Sequence, residues 1–199
     1  FFLIQYVQEV LGYTALKAGE AFLALTLTQF AMSVYGVKWL ARHMSSAVML
    51  FCGLATALVG MALLTGLGSD VAYFPHLMLP LIILGIGCGA AFVPLTSAGI
   101  AGVEPQNAGA ASGLVNVAHQ VGGSLGTAVI VAIVGMAARL SPAPVGLDAD
   151  AQARFALSHA LSVGATSSAT FFGLALLVVF FTSRYARRRE RLQAADAAS

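Results

Sequence analysis

Between Gly102 and Thr127 the chain reads G-V-E-P-Q-N-A-G-A-A-S-G-L-V-N-V-A-H-Q-V-G-G-S-L-G-T. Wound with a 3.6-residue period from about Asn107, Gly109, Ser112, Gly113, Asn116, Gln120, Gly123 and Thr127 fall on one stripe, with His119 at its edge. Leu114, Val117, Val121 and Leu125 occupy the opposite stripe. Glycines admit a neighbouring backbone closely, and amides need partners that lipid cannot supply, so this sorting suits a helix in a membrane bundle. A soluble amphipathic helix with a glycine seam would carry the same pattern, and the rest of the chain decides between the two.

Hydrophobic residues make up 59% of the chain and charged residues 9%, and the mean hydropathy is +0.88. A soluble domain carries about 25% charged residues, so this one is starved of charge. The apolar residues also come in runs: Ala47 to Gly68 and Leu77 to Val103 contain no charge. Roughly 20 apolar residues cross a bilayer as helix, so both are candidate spans. Cys52 and Cys88 lie inside these runs and read as small buried hydrophobes.

The chain opens at Phe1 with about half a span of apolar sequence, without Met or a basic leader, and is expected to be a portion of a longer chain. Gly12 stops this partial helix (1–11) and Thr14 caps the next. Further spans are expected over 17–37, 47–68, 77–103, 108–138 and 155–181, an all-α integral membrane bundle covering 1–183. Pro80 and Pro94 fall inside the third complete span, where neighbouring helices must satisfy the carbonyls they free. The 139–153 segment is the one sizeable loop, and Asp148 or Asp150 is placed to cap the last helix. Residues 184–199 form a basic tail with Arg184, Arg187, Arg188, Arg189 and Arg191, ending in a small polar stretch expected to be disordered.

On one side of the membrane lie Lys38, Arg42 and the tail arginines; on the other lie Lys17, Arg139 and Arg154. The excess places the C-terminus in the cytoplasm. A basic run directly after a span is a topogenic signal, which argues against reading it as a nucleic-acid arm.

The sequence contains no H-E-x-x-H, G-x-S-x-G or C-x-x-C, and His43, His76, His119 and His159 are scattered. Enzyme chemistry, metals and cofactors therefore have no footing. Gly85-Ile86-Gly87-Cys88-Gly89, inside an apolar run, reads as glycines packing helices, not as a dinucleotide fingerprint. Polar groups within spans are costly and face a cavity or one another. The candidates for substrate cavity or coupling are Gln5, Gln8, Glu20, Gln29, Thr96, Asn116 and Gln120; for Asn116 and Gln120, interhelical hydrogen bonding is an equal alternative. Gly109, Gly113 and Gly123 are expected to form the tightest helix contact of the chain.

Three blocks carry a resemblance: L-G-Y-T-A-L-K-A-G (Leu11 to Gly19), G-A-A-F-V-P-L-T (Gly89 to Thr96) and G-A-A-S-G-L-V-N-V-A-H-Q-V-G-G-S-L-G-T-A (Gly109 to Ala128). In these the chain resembles the C-terminal half of the major facilitator superfamily, and more narrowly its fourteen-span drug:proton antiporters of the EmrB/QacA type. The likeness implies a multi-pass protein of a bacterial plasma or inner membrane, with the stub as span nine and the complete helices as spans ten to fourteen. It implies alternating access around a midplane cavity, with protons and small lipophilic or amphipathic substrates as partners, lipid around it, and an N-terminal half bearing the coupling acids. Gly36 to Arg42 resembles a degenerate copy of the family's loop motif, lacking its acid and following glycine. His119 stands where the family commonly has arginine, and Glu20 where an apolar residue is usual. Two other functions fit the same sequence: a superfamily porter for another small metabolite, or a non-transporting membrane scaffold.

Overall fold

The computed structural model describes residues 2–66, 73–140, 146 and 148–196, with side chains through Tyr185. The expected turn at Ser69–Asp70 lies outside the described residues. Of the expected 139–153 loop, 141–145 and 147 also lie outside them, while 139–140 and 149–153 are helical, so the loop is shorter than expected. Among the described residues six helices follow one another. α1 is Phe2–Gln5 continued by a π-helical turn, Tyr6–Val10. Then come α2 (Ala15–Leu40), α3 (Ser46–Leu64), α4 (Tyr73–Ile100), α5 (Ala108–Leu140) and α6 (Ala149–Asp196). From α2 onward, each is long and apolar enough to cross a membrane.

The boundaries follow local chemistry. Gly12 takes φ +68°, a conformation open to glycine, and the Thr14 hydroxyl accepts from Lys17 N–H at 3.4 Å, capping α2. α4 ends where Ala101 turns extended and Gly102 takes φ +77°; Pro105 then opens a 3₁₀ turn, Pro105–Asn107, into α5. Of the two candidate caps for α6, Asp148 serves: its Oδ1 accepts from Ala151 N–H at 2.7 Å. Pro94 sits inside α4 without ending it, as a packed membrane helix tolerates. α6 continues as helix to Asp196, so the backbone of the arginine run prolongs the last span. The expected disordered end is corrected as far as Asp196, because 174–196 holds no glycine or proline and is rich in Ala, Leu and Arg.

The core is an α3–α4 hairpin with α2 on one flank of α4 and α6 against α3. Its seam is made by glycines. A Cβ at Gly53 would lie 2.7 Å from the Ala91 nitrogen, and one at Gly60 2.7 Å from the Leu84 nitrogen. From the other side, a Cβ at Gly87 would collide with the Ala57 backbone. Gly85 and Gly89 point a different way: Cβ atoms there would meet Leu25 O at 2.5 Å and Gln29 O at 2.6 Å on α2. The 85–89 glycines thus pack two helices on two faces of α4, as their place in an apolar run implied. At this junction α2 loosens into a π-helical turn, Met32–Gly36, and Ser33 Oγ donates to Gly89 O at 3.2 Å.

α5 stands apart. In its most apolar stretch 6% of residues are buried, against 56% in α4. A Cβ at Gly109, Gly113, Gly122 or Gly123 would meet nothing within 4 Å. Among the described residues the glycines of this stripe meet no other helix, and the tightest helix contact is the α3–α4 seam. The face of α5 turned inward carries Val115, His119, Gly126, Ile130 and Val134, about a quarter-turn from the glycine stripe. It meets α4 where Val115 Cγ2 would lie 2.6 Å from a Cβ on Gly99 and where the His119 ring packs edge-on to Phe92, centroids 5.4 Å apart.

Candidate functional site: an apolar cavity among the helices

A cavity of about 240 Å³ opens where all six helices approach one another. α1 contributes Leu3 and α2 Phe22; Met61 and Leu64 come from α3, and Leu84 from α4. α5 supplies Thr127, Ile130 and Val131, and α6 supplies Leu161, Gly164, Ala165 and Ser168. Met61, Thr127, Ile130 and Ser168 also border a wider groove of about 610 Å³ that runs between α3, α5 and α6 past Gly122, Gly123 and Phe172. Among the described residues no charged side chain lines either space.

The polar atoms are hydroxyls already engaged with their own helices. Thr127 Oγ1 donates to Gly123 O at 2.8 Å, and Ser168 Oγ donates to Gly164 O at 2.8 Å. Each hydroxyl proton is thus committed and each oxygen keeps acceptor capacity. The space can therefore accept apolar surface and a weak donor, and offers a charged group nothing to pair with. Small residues make the room: Gly164 and Ala165 are buried on α6, where larger side chains would close it.

None of the polar residues singled out in the sequence lines this cavity. Gln5 and Gln8 are half-buried on α1, and Gln29 is half-buried on α2. Thr96 turns its hydroxyl back to Phe92 O at 2.9 Å. Glu20 is exposed and shares a shallow depression with Tyr13, Lys17, Ala21 and Tyr73, whose hydroxyl donates to Ala21 O at 2.7 Å. Asn116 and Gln120 are exposed on α5, Gln120 beside an open hollow with Gly123, Ser124 and Thr127. The sequence reading missed Phe22, Met61, Ile130 and Leu161 as lining residues because apolar residues in an apolar span carry no mark of which neighbour they face. Thr127 was visible only as a member of the glycine and amide stripe, and Ser168 only as one of several hydroxyl residues in the first half of the last span.

Known proteins are similar to this chain in sequence. The family model described as Major Facilitator Superfamily matches residues 1–127. The cephamycin export protein CmcT of Amycolatopsis lactamdurans is 37% identical over 72% of this chain and 29% of its own length. The puromycin resistance protein pur8 of Streptomyces alboniger is 33% identical over 90% of this chain and 33% of its own. The MFS-type transporter EfpA of Mycobacterium tuberculosis is 34% identical over 96% of this chain and 37% of its own. The chain thus spans about a third of the length of these relatives. With no strand among the described residues, five helices able to cross a membrane, and these matches, the chain belongs to the Major Facilitator Superfamily.

Proposed function

We propose that this chain is the C-terminal portion of a secondary transporter that exports lipophilic or amphipathic compounds, working by alternating access and coupled to protons as an antiporter. The observation that carries the reading is the cavity at the helix junction, apolar, free of charged lining residues and furnished with two acceptor hydroxyls. It suits a greasy solute better than a charged metabolite, which would leave its charge unpaired. Support also comes from the relatives, whose names speak of export and of resistance. The remaining part of the transporter would cover the exposed glycine and amide stripe of α5 and complete the pathway; coupling acids would belong to that part. The C-terminus would face the cytoplasm.

The test is transport by the full-length protein in an efflux-deficient bacterial host. Accumulation of a lipophilic fluorescent compound should fall on expression and recover when a protonophore dissipates the proton gradient. Export that persists after the gradient is abolished would remove the antiport step. Export of hydrophilic metabolites alone would replace the substrate class.

A further inference from the structure

α3 and α6 run antiparallel, and the contact between them changes along their length. At one end it is closed: Leu64, Leu161 and Ala165 are buried, and Ser162 Oγ donates across to Thr65 O at 2.9 Å. At the other end the helices leave a groove of about 370 Å³ lined by Ala47, Val48, Phe51, Val179, Phe180, Ser183 and Arg184. Val48, Phe51 and Phe180 remain exposed there. The groove floor is therefore apolar, and a hydroxyl and a guanidinium stand at its mouth.

The mouth lies at the membrane boundary. Ala47 follows the exposed Ser45 and Ser46 at the start of α3, and Arg184 follows the apolar part of α6. Arg184 is held over its own helix, its guanidinium carbon 4.7 Å from the Phe180 ring centroid. This fixes the cation at the groove mouth. The sequence continues with Arg187, Arg188, Arg189 and Arg191, against one acid, Glu190, so the field at this end is strongly positive.

We propose that the α3–α6 groove is a binding site for an anionic phospholipid, with an acyl chain along Val48, Phe51 and Val179 and the phosphate on Arg184 and Ser183. Charge complementarity selects this occupant. A zwitterionic lipid supplies the same chain and a phosphate, but its ammonium meets the same positive field. A basic crevice between membrane helices is a general recognition mode for acidic headgroups, and arginine's planar fork suits phosphate oxygens. The proposal rests on membrane placement and not on the transport reaction.

The experiment places the full-length protein in nanodiscs of phosphatidylethanolamine containing photoreactive acyl-chain probes. One probe is a phosphatidylglycerol and the other the matching phosphatidylethanolamine; adducts are mapped by peptide mass spectrometry. The phosphatidylglycerol probe should mark the peptides containing 47–51 and 179–184 in preference to the other. R184Q should lower that yield about fivefold, the effect of about one charge at a membrane surface, and R184K should retain most of it. V48W, which fills the groove, should abolish labelling there by both probes. Excess free glycerophosphate should leave labelling intact; suppression by it would assign the site to a soluble anion and overturn the lipid. Equal labelling by the two probes, or an unchanged yield in R184Q, also overturns the proposal. If R184Q is not recovered folded, the comparison of the two probes on the unaltered protein decides by itself. Transport is not read in any arm, so loss of this site and loss of the export reading are separate results.

Discussion

Gly53 and Ala91 face one another across the α3–α4 seam so closely that a Cβ on the glycine would stand 2.7 Å from the alanine nitrogen. Neither backbone can yield without moving its helix, because the colliding atoms are main chain. The same holds at Gly60 against Leu84 and at Gly87 against Ala57. We predict that Gly87→Val removes the protein from membranes, since forcing extra methylenes into a packed contact costs about 1 to 3 kcal/mol, more where backbone must shift. Gly66, with open space around it, should accept alanine with unchanged abundance. Immunoblots of full-length protein in membranes compare the two; equal abundance would show that the seam is softer than its geometry.

Ser33 joins α2 to α4 at the π-helical turn, through its bond to Gly89 O. Ser33→Ala removes that bond and leaves the carbonyl of buried Gly89 with its own helix contacts. The loss should be on the order of 0.6 kcal/mol, at most about 2, a lower melting temperature in detergent with no loss of folding. Ser33→Leu, which must also displace the α4 backbone, should be worse than alanine in the same measurement.

The spans were legible in the sequence because charge-free runs near 20 residues have few alternatives to a membrane helix, and Gly12, Thr14 and Asp148 announced their turns and caps by chemistry that is local. The packing was harder to read. In water, apolar residues mark the inside of a helix; in lipid both the buried and the outer faces are apolar, so Leu64 and Leu114 look alike in the sequence although one is 2% exposed and the other 71%. Small residues show only that a backbone can approach. Gly53 and Gly113 are equal in that respect, and only the fold shows that a partner helix lies against the first. The residues that do border the cavity were hard to read for a related reason. The hydroxyls of Thr127 and Ser168 satisfy themselves on their own helix, so position in a span does not disclose the cavity they border.

The proposed orientation rests on the charge distribution, and labelling tests it directly. With Cys52 and Cys88 replaced by alanine, single cysteines at Ser45 and Ala149 report the two sides. In intact cells an impermeant thiol reagent should label position 149 and not 45; after permeabilisation it should label both. Labelling at 45 alone would invert the topology and place the groove mouth at Arg184 in the outer leaflet.

The cavity predicts a size-dependent effect. Ser168 lies on its α6 wall and Thr127 on its α5 wall, so Ser168→Phe fills space that a bound compound would use. On the proposed reading, export of a bulky compound should fall about tenfold or more, in the range by which a pocket discriminates methylene-sized differences, while a small one is less affected. Thr127→Val keeps shape and removes the acceptor, and should lower export of compounds bearing a donor. Uniform loss of export in step with abundance would assign both residues to packing alone.

The exposed stripe of α5 supplies the sharpest contrast between this chain and the whole transporter. Gly113 and Gly123 have open space where a Cβ would stand, and Asn116 and Gln120 are exposed beside them. Within the present bundle a larger residue there should cost almost nothing. Gly113→Leu should therefore leave the protease resistance of the 199-residue chain in membranes unchanged, where Gly87→Val abolishes it. If the rest of the transporter closes over this stripe, the same Gly113→Leu in the full-length protein should cut export sharply while Val121→Leu, on the far face, is tolerated. Asn116→Ala removes at most one interhelical amide bond, about 0.6 kcal/mol, and should change export rates more than abundance. Full-length Gly113→Leu with ordinary export would mean that lipid, not protein, covers the stripe, and the face completing the pathway would then have to be sought on α1 and α2.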